Sequence, residues 1–143
     1  MKIKQLSLFV ENKPGHLLAP CRLLADHHID LRALSVADTQ HFGVLRLIVA
    51  EPDQAAKLLE DKGFVVKTTE VLAVEVEDRP GGLARVLAAL EGSPLNIEYM
   101  YAFPFGHDDR AVLIFRFDDP DAAIARMQAA AISVLSTTEI LGG

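Results

Sequence analysis

Pro14-Gly15-His16-Leu17 is answered by Pro80-Gly81-Gly82-Leu83 at an offset of 66 (80 − 14), and Glu51-Pro52-Asp53-Gln54-Ala55-Ala56 by Asp119-Pro120-Asp121-Ala122-Ala123-Ile124 at an offset of 68 (119 − 51). A chain that repeats itself must build the same local structure twice, because the same spacing of apolar and turn residues selects the same elements. The correspondence runs on between these anchors. Ile29-Asp30-Leu31 falls on Leu95-Asn96-Ile97, and Val44-Leu45-Arg46-Leu47-Ile48-Val49 falls on Val112-Leu113-Ile114-Phe115-Arg116-Phe117. The change of offset requires a two-residue insertion, best placed in the polar turn around Gly106-His107-Asp108-Asp109. The copies occupy residues 1–69 and 70–143. At about 70 residues each is near the lower limit for an independent core, so mutual stabilisation is expected.

Each copy reads strand, helix, strand, strand, helix, strand. Leu6, Leu8 and Val10 alternate with Ser7 and Phe9, as Leu72, Val74 and Val76 alternate with Ala73, Glu75 and Glu77. Period two marks half-buried strands with one covered and one more open face. After Pro14 and Pro80, apolar residues recur at helical spacing: Leu17, Leu18, Cys21, Leu24 and Ala25, then Leu83, Val86, Leu87 and Leu90. Hairpins follow, over about 29–38 and 43–50 and over about 95–104 and 110–118. Glu51-Pro52-Asp53 and Asp119-Pro120-Asp121 each offer an acidic cap, a proline at the first helical position and an acid in the first turn, with Asp119 the better cap. Final strands are expected at about 64–69 and 132–137, the former running almost directly into Val71. Packing rules make this an α+β fold: two ferredoxin-like βαββαβ units in tandem, with antiparallel sheets side by side and helices on one face.

Half of the 143 residues are hydrophobic, ample for a packed interior. The formal net charge of −6, without a Lys/Arg-rich run, argues against a nucleic-acid partner. No stretch approaches the roughly 20 apolar residues of a membrane helix, and the start Met1-Lys2-Ile3-Lys4-Gln5-Leu6-Ser7 lacks a signal-peptide core. A soluble, cytoplasmic protein is expected. The single cysteine, Cys21, excludes an intrachain disulfide and any multi-cysteine metal site. Its place in an apolar helical run points to a buried structural residue.

The most specific signal is the junction of first strand and first helix, Glu11-Asn12-Lys13-Pro14-Gly15-His16-Leu17 and Glu77-Asp78-Arg79-Pro80-Gly81-Gly82-Leu83. Asn12 and Asp78 are good capping residues, proline presets the helical φ, and glycine lets a ligand approach the backbone. A helix start presents N–H groups and positive partial charge to an anion such as a carboxylate, while the Asp78 carboxylate suits an α-ammonium group. The complement of such a loop is a zwitterion. Pro-Gly turns are common punctuation when single, and their recurrence in the same topological place carries the signal.

A D-x-P-G-x-L loop opening the first helix of a βαββαβ unit, twice in tandem, resembles the ACT domain family of small-molecule regulatory modules. Lys4-Gln5-Leu6-Ser7, Glu11-Asn12-Lys13 and Ile97-Glu98-Tyr99-Met100-Tyr101 make the whole chain similar to stand-alone tandem ACT proteins of bacteria. The resemblance implies amino-acid binding in the service of regulation, with no cofactor and with a homodimer as the expected assembly. It also implies ligands held between the strand–helix loop of one unit and the second strand of its neighbour. The implied site residues are therefore the loops Asn12 to Leu17 and Asp78 to Leu83, the strand starts Asp30-Leu31 and Asn96-Ile97, and Tyr99 and Tyr101 with Phe103 as walls. These three aromatics alternate on one strand face, a pattern that also serves a core. The first copy departs from the family loop: Asn12 stands for the acid, His16 for Gly82, and Pro20 falls where it disturbs the first turns of the helix. Two inequivalent sites, or one built from both halves, are expected.

Two rival classes stand beside a sensor. A small ferredoxin-like enzyme finds little support: there is no nucleophile motif, P-loop or dinucleotide fingerprint. His27-His28 at the end of the first helix complements the carbonyl ends there, and Gly106-His107-Asp108-Asp109 is explained as a polar turn. A ligand-free oligomerisation module would use its edge strands instead. With no catalytic or DNA-binding domain attached, the output of a sensor is expected to pass through a separate metabolic enzyme or regulator, or through the ligand pool.

Overall fold

The computed structural model describes residues 1–141, side chains at 38, 105 and 107 excepted. It forms two compact units, Lys4–Thr69 and a second comprising Met1–Ile3 with the chain from Glu70 onward. The first carries β1 (Ile3–Glu11) from Lys4 onward, α1 (Leu18–Asp26), β2 (Leu31–Asp38), β3 (Phe42–Val49), α2 (Pro52–Asp61) and the opening residues of β4 (Val65–Glu77). The second carries the rest of β4, then α3 (Gly82–Ala88), β5 (Ile97–His107), β6 (Arg110–Phe117), α4 (Pro120–Ala129), β7 (Val134–Leu135) and α5 (Thr137–Leu141). The βαββαβ pattern appears twice, so the α+β, tandem ferredoxin-like class is as the sequence indicates. Two strands were expected on either side of Glu70. The β-branched run through Val65, Val66, Thr68, Thr69 and Val71 offers no turn residue, and the chain stays extended as one strand.

In the first unit β1 pairs antiparallel with β3 from Leu6↔Leu47 to Glu11↔Phe42, and β2 pairs with the other edge of β3 from Leu31↔Val49 to Asp38↔Gly43. This register puts Leu6, Leu8, Val10, Leu45, Leu47 and Val49 on one face, where Leu24 of α1 and Ala55 and Leu59 of α2 close the core. In the second unit β4 pairs with β6 from Leu72↔Phe115 to Glu77↔Arg110, and β5 pairs with β6 from Ile97↔Phe117. Leu72, Val74, Val76, Phe115 and Phe117 meet Val86, Leu90, Ala123 and Met127 there. Each such buried Leu, Val or Phe contributes about 1.5–3 kcal/mol. The opposite face is less open than its alternation suggests: Gln5, Ser7 and Ala73 are also buried, with Gln5 Nε2 donating to Ser7 Oγ at 3.2 Å. Buried polar groups find partners in this way.

The insertion separating the copies falls where the turn residues place it. β2 and β5 begin 66 apart (97 − 31), β3 and β6 begin 68 apart (110 − 42), and the β5–β6 register shifts between Phe103 and His107. Asp119 Oδ1 accepts from the N–H of Ala122 at 3.1 Å, whereas Glu51 makes no side-chain cap bond. Pro20 is buried as the third residue of α1 and does not break it, because the first N–H groups of a helix lack intrahelical acceptors in any case. The strand expected over 132–137 shrinks to Val134–Leu135, and α5 takes over. The cause is a capping box: the N–H of Ser136 donates to Glu139 Oε1 at 2.9 Å and that of Glu139 to Ser136 Oγ at 3.2 Å.

Candidate functional site

The loops that follow β1 and β4 fold alike. The N–H of Asn12 donates to the His41 carbonyl at 2.9 Å and that of Asp78 to the Asp109 carbonyl at 2.6 Å, tying each loop to the hairpin tip of its own unit. Lys13 N–H then donates to Glu11 O and His16 N–H to Lys13 O, matched by Arg79 to Glu77 and Gly82 to Arg79. Gly15 and Gly81 lie at φ +80 and +92, where a side chain is strained although space around each is open. The N–H groups of these two glycines have no backbone acceptor among the described residues.

Three details differ from the capping expected of these residues. α1 starts only at Leu18 and α3 at Gly82, with Leu17 and Gly81 in the cap positions and no side-chain cap bond at either. The left-handed glycine interrupts helical φ values, so Pro14 and Pro80 fall before the helices and Asn12 and Asp78 cap neither. Asn12 Nδ2 instead donates to the Thr39 carbonyl at 2.8 Å, a role its sequence neighbourhood does not reveal. Gly82 is buried, and a Cβ there would sit 2.0 Å from the Glu77 carbonyl oxygen. Its lack of a side chain is a packing requirement rather than an opening toward a ligand.

Each loop borders a hollow within its own unit. Beside the first is a cavity of about 370 Å³ between Phe9, Val10, Glu11, the loop residues Lys13, Pro14, Gly15 and His16, Ala19 of α1, and Gly63, Phe64 and Val65. Beside the second is one of about 140 Å³ between Glu75, Val76, Glu77, Arg79, Pro80, Gly81, Gly82, Arg85, Val86 and Ile132. Leu17 and Leu83 follow these walls without lining them. The walls correspond through the repeat from Phe9 and Glu75 to Phe64 and Ile132, so the same hollow has been built twice. The residues Phe64, Val65 and Ile132, at the strand entry beside each loop, were missed by sequence reasoning, which had no signal for them beyond the repeat itself.

The strand starts lie elsewhere in each unit. β1 and β2 both pair antiparallel with β3 and so run the same way, which puts the loop after β1 and the start of β2 at opposite ends of one sheet. Asp30 is anchored at its end by accepting the N–H of Ala50 and by an ion pair with Arg32 at 3.3 Å, and Leu31 packs on the core. Asn96 likewise binds Asp118 through both backbone groups, its N–H donating to Oδ1 at 3.0 Å. Ile97 packs on the second core. Tyr99 and Tyr101 are half-buried in mid-strand, opposite Arg116 and Ile114, and Phe103 is buried. No single unit therefore unites its loop with its own second strand.

Among the described residues, no group of three or more His, Cys, Asp and Glu is arranged to hold a metal ion. Cys21 is half-buried, less enclosed than expected, and burial pushes its thiol pKa up, which disfavours the reactive thiolate. No described helix is long and apolar enough to cross a membrane.

The sequence pattern of the ACT domain pair matches residues 1–140. This chain belongs to the ACT domain pair family. The resemblance carried by the doubled loop is thus a family relation. The ACT pair is 37% identical to protein BT0572 from Bacteroides thetaiotaomicron, with a TM-score of 0.91 over 99% of this chain and 96% of that one. It shares its fold with the regulatory subunit of aspartate kinase from Thermus thermophilus at 18% identity and a TM-score of 0.63, covering 89% of this chain and 91% of that one. The corresponding subunit from Thermus flavus gives 15% identity and a TM-score of 0.63 over 90% of each chain. No curated protein matches the ACT pair.

Proposed function

We propose that this ACT pair is a non-catalytic sensor that binds a free amino acid at its strand–helix loops and transmits occupancy by shifting the arrangement of its units. The observation that carries this is the duplicated loop with its left-handed glycine, each copy bordering a hollow. Backbone N–H groups at Gly15 and Gly81 suit a carboxylate, and Asp78, exposed beside its loop, suits an α-ammonium group. Asp30-Leu31, Asn96-Ile97, Tyr99 and Tyr101 take part, on this proposal, only by meeting a loop from outside their own unit. The regulatory subunits that share the fold support a regulatory over a catalytic role. Edge strand β2 exposes Leu34 and Val36, which supports self-association into a homodimer. The output is a change in a separate metabolic enzyme or regulator, in the cytoplasm where the free amino-acid pool lies. A ligand shifts such an equilibrium only by its differential affinity for the two arrangements.

Titration calorimetry of the full chain with each of the twenty amino acids tests the proposal. The expected result is saturable binding of at least one, recovered chemically intact. Silence across the whole panel contradicts it and favours a ligand-free oligomerisation module; consumption of the amino acid favours an enzyme.

A further inference from the structure

We propose that the cavity of the first copy is the one that takes the ligand, that this ligand is an α-amino acid with a large apolar side chain, and that the cavity of the second copy excludes that class; the proposal rests on the sensor reading above. The two hollows occupy the same place in the repeat, so their differences isolate what the copies have each become. Where the first has Phe9, Ala19 and Val65, the second has Glu75, Arg85 and Ser133, at offsets of 66, 66 and 68.

The substitutions change volume and charge together. Ala19 leaves open the space that the Arg85 side chain borders in the other copy, in keeping with about 370 Å³ against about 140 Å³. Pockets for small molecules run from about 300 to 1,000 Å³, and of these two equivalent hollows the first alone reaches that range. Its apolar wall is exposed: Phe9 keeps 46% and Val65 63% of their surface in contact with solvent, an arrangement with a cost in water that a bound apolar side chain relieves. Across that wall, Glu11 and Lys13 form an ion pair at 3.8 Å at the rim, with side chains 71% and 66% exposed, a solvent-screened pair that a zwitterion's two ends can replace at little cost. The second copy keeps the equivalent pair, Glu77 with Arg79, and adds another, Glu75 at 3.9 Å from Arg110, with the Glu77 and Glu75 side chains only 25% and 27% exposed. Arg110 itself occupies the place of Phe42, another exposed aromatic of the first copy, 63% exposed and paired with Glu11 across the sheet. Apolar surface beside one exposed ion pair suits an apolar amino acid; a smaller hollow walled by two less exposed ion pairs does not.

Calorimetry of the full chain with L-leucine, L-methionine and L-phenylalanine, against glycine, L-aspartate and L-lysine, tests this with two variants that import the second copy's residues, Ala19→Arg and Phe9→Glu. Both positions are exposed, so each variant is expected to fold, checked by circular dichroism. At least one apolar amino acid binds the wild-type chain at one per chain, and each variant weakens it about tenfold or more, a change of about 1.4 kcal/mol. Binding of only the polar set, or apolar binding that survives both substitutions, overturns this proposal and leaves the sensor reading standing. A wild-type chain inert to all twenty amino acids overturns both.

Discussion

Gly82 has no room for a methyl group, since the Glu77 carbonyl oxygen lies 2.0 Å from where a Cβ would be, whereas Gly81 beside it has open space and is fixed by its φ of +92. In the sequence these neighbours read as one ligand-facing pair. Sequence patterns carry the spacing of glycines but not which of them packs and which turns. Gly82→Ala is expected to destabilise the chain by about 1–3 kcal/mol, because the obstructing atom is backbone and cannot rotate away. Urea unfolding measures it; an unchanged midpoint would contradict the geometry. Asn12 is equally opaque. Its resemblance to a cap is local, while its observed bond to the Thr39 carbonyl spans 27 residues and depends on the hairpin tip arriving beside the loop. Loop identity is legible at this scale, and loop hydrogen bonding is not.

The elements themselves are largely written in apolar periodicity and caps. Asp119 caps α4 as its acid-proline-acid signature indicates, and both hairpins appear within a few residues of their sequence signals. One exception is the C-terminal end, where Ser136-Thr137-Thr138-Glu139 is a capping box that prevails over the apolar signal for a longer strand. That box makes α5 sensitive to acid. The Ser136 N–H, and after it the Ser136 hydroxyl, holds the Glu139 carboxyl below its ordinary value of 4.5. A group with a lowered folded pKa stabilises above its unfolded value and loses that contribution as pH falls through the folded one. Backbone chemical shifts of Thr137 to Leu141 are therefore expected to move toward coil values on acidification from about pH 5 to about pH 3. Glu139→Gln should abolish the transition, and shifts indifferent to pH in the wild-type chain would contradict the capping account.

At the scale of the molecule, the repeat alone divides the chain into two units, and the two-residue slip lies in the hairpin that its turn residues indicate. The assignment of Met1–Ile3 to the unit that begins at Glu70 is not legible in the sequence, because it rests on partners far along the chain. Lys2, for instance, pairs with Asp121 at 3.1 Å and Glu70 at 3.8 Å. Ile3 is 1% exposed. Ile3→Ala is expected to cost about 2–5 kcal/mol. Hydrogen exchange should report the lost protection in residues 70–141, and a loss confined to Lys4–Thr69 would contradict the division. The divergence of the copies, with more apolar surface around the first hollow and more charge around the second, emerges only when the repeat is laid onto the walls of the cavities. What all of this serves is recognition of an amino acid at a doubled loop. Amide resonances of the labelled chain, followed as a mixture of the twenty L-amino acids is added, test that directly: saturable shifts at Gly15, His16, Phe64 and Val65 are the expected result. Resonances at both loops that stay fixed throughout would contradict it.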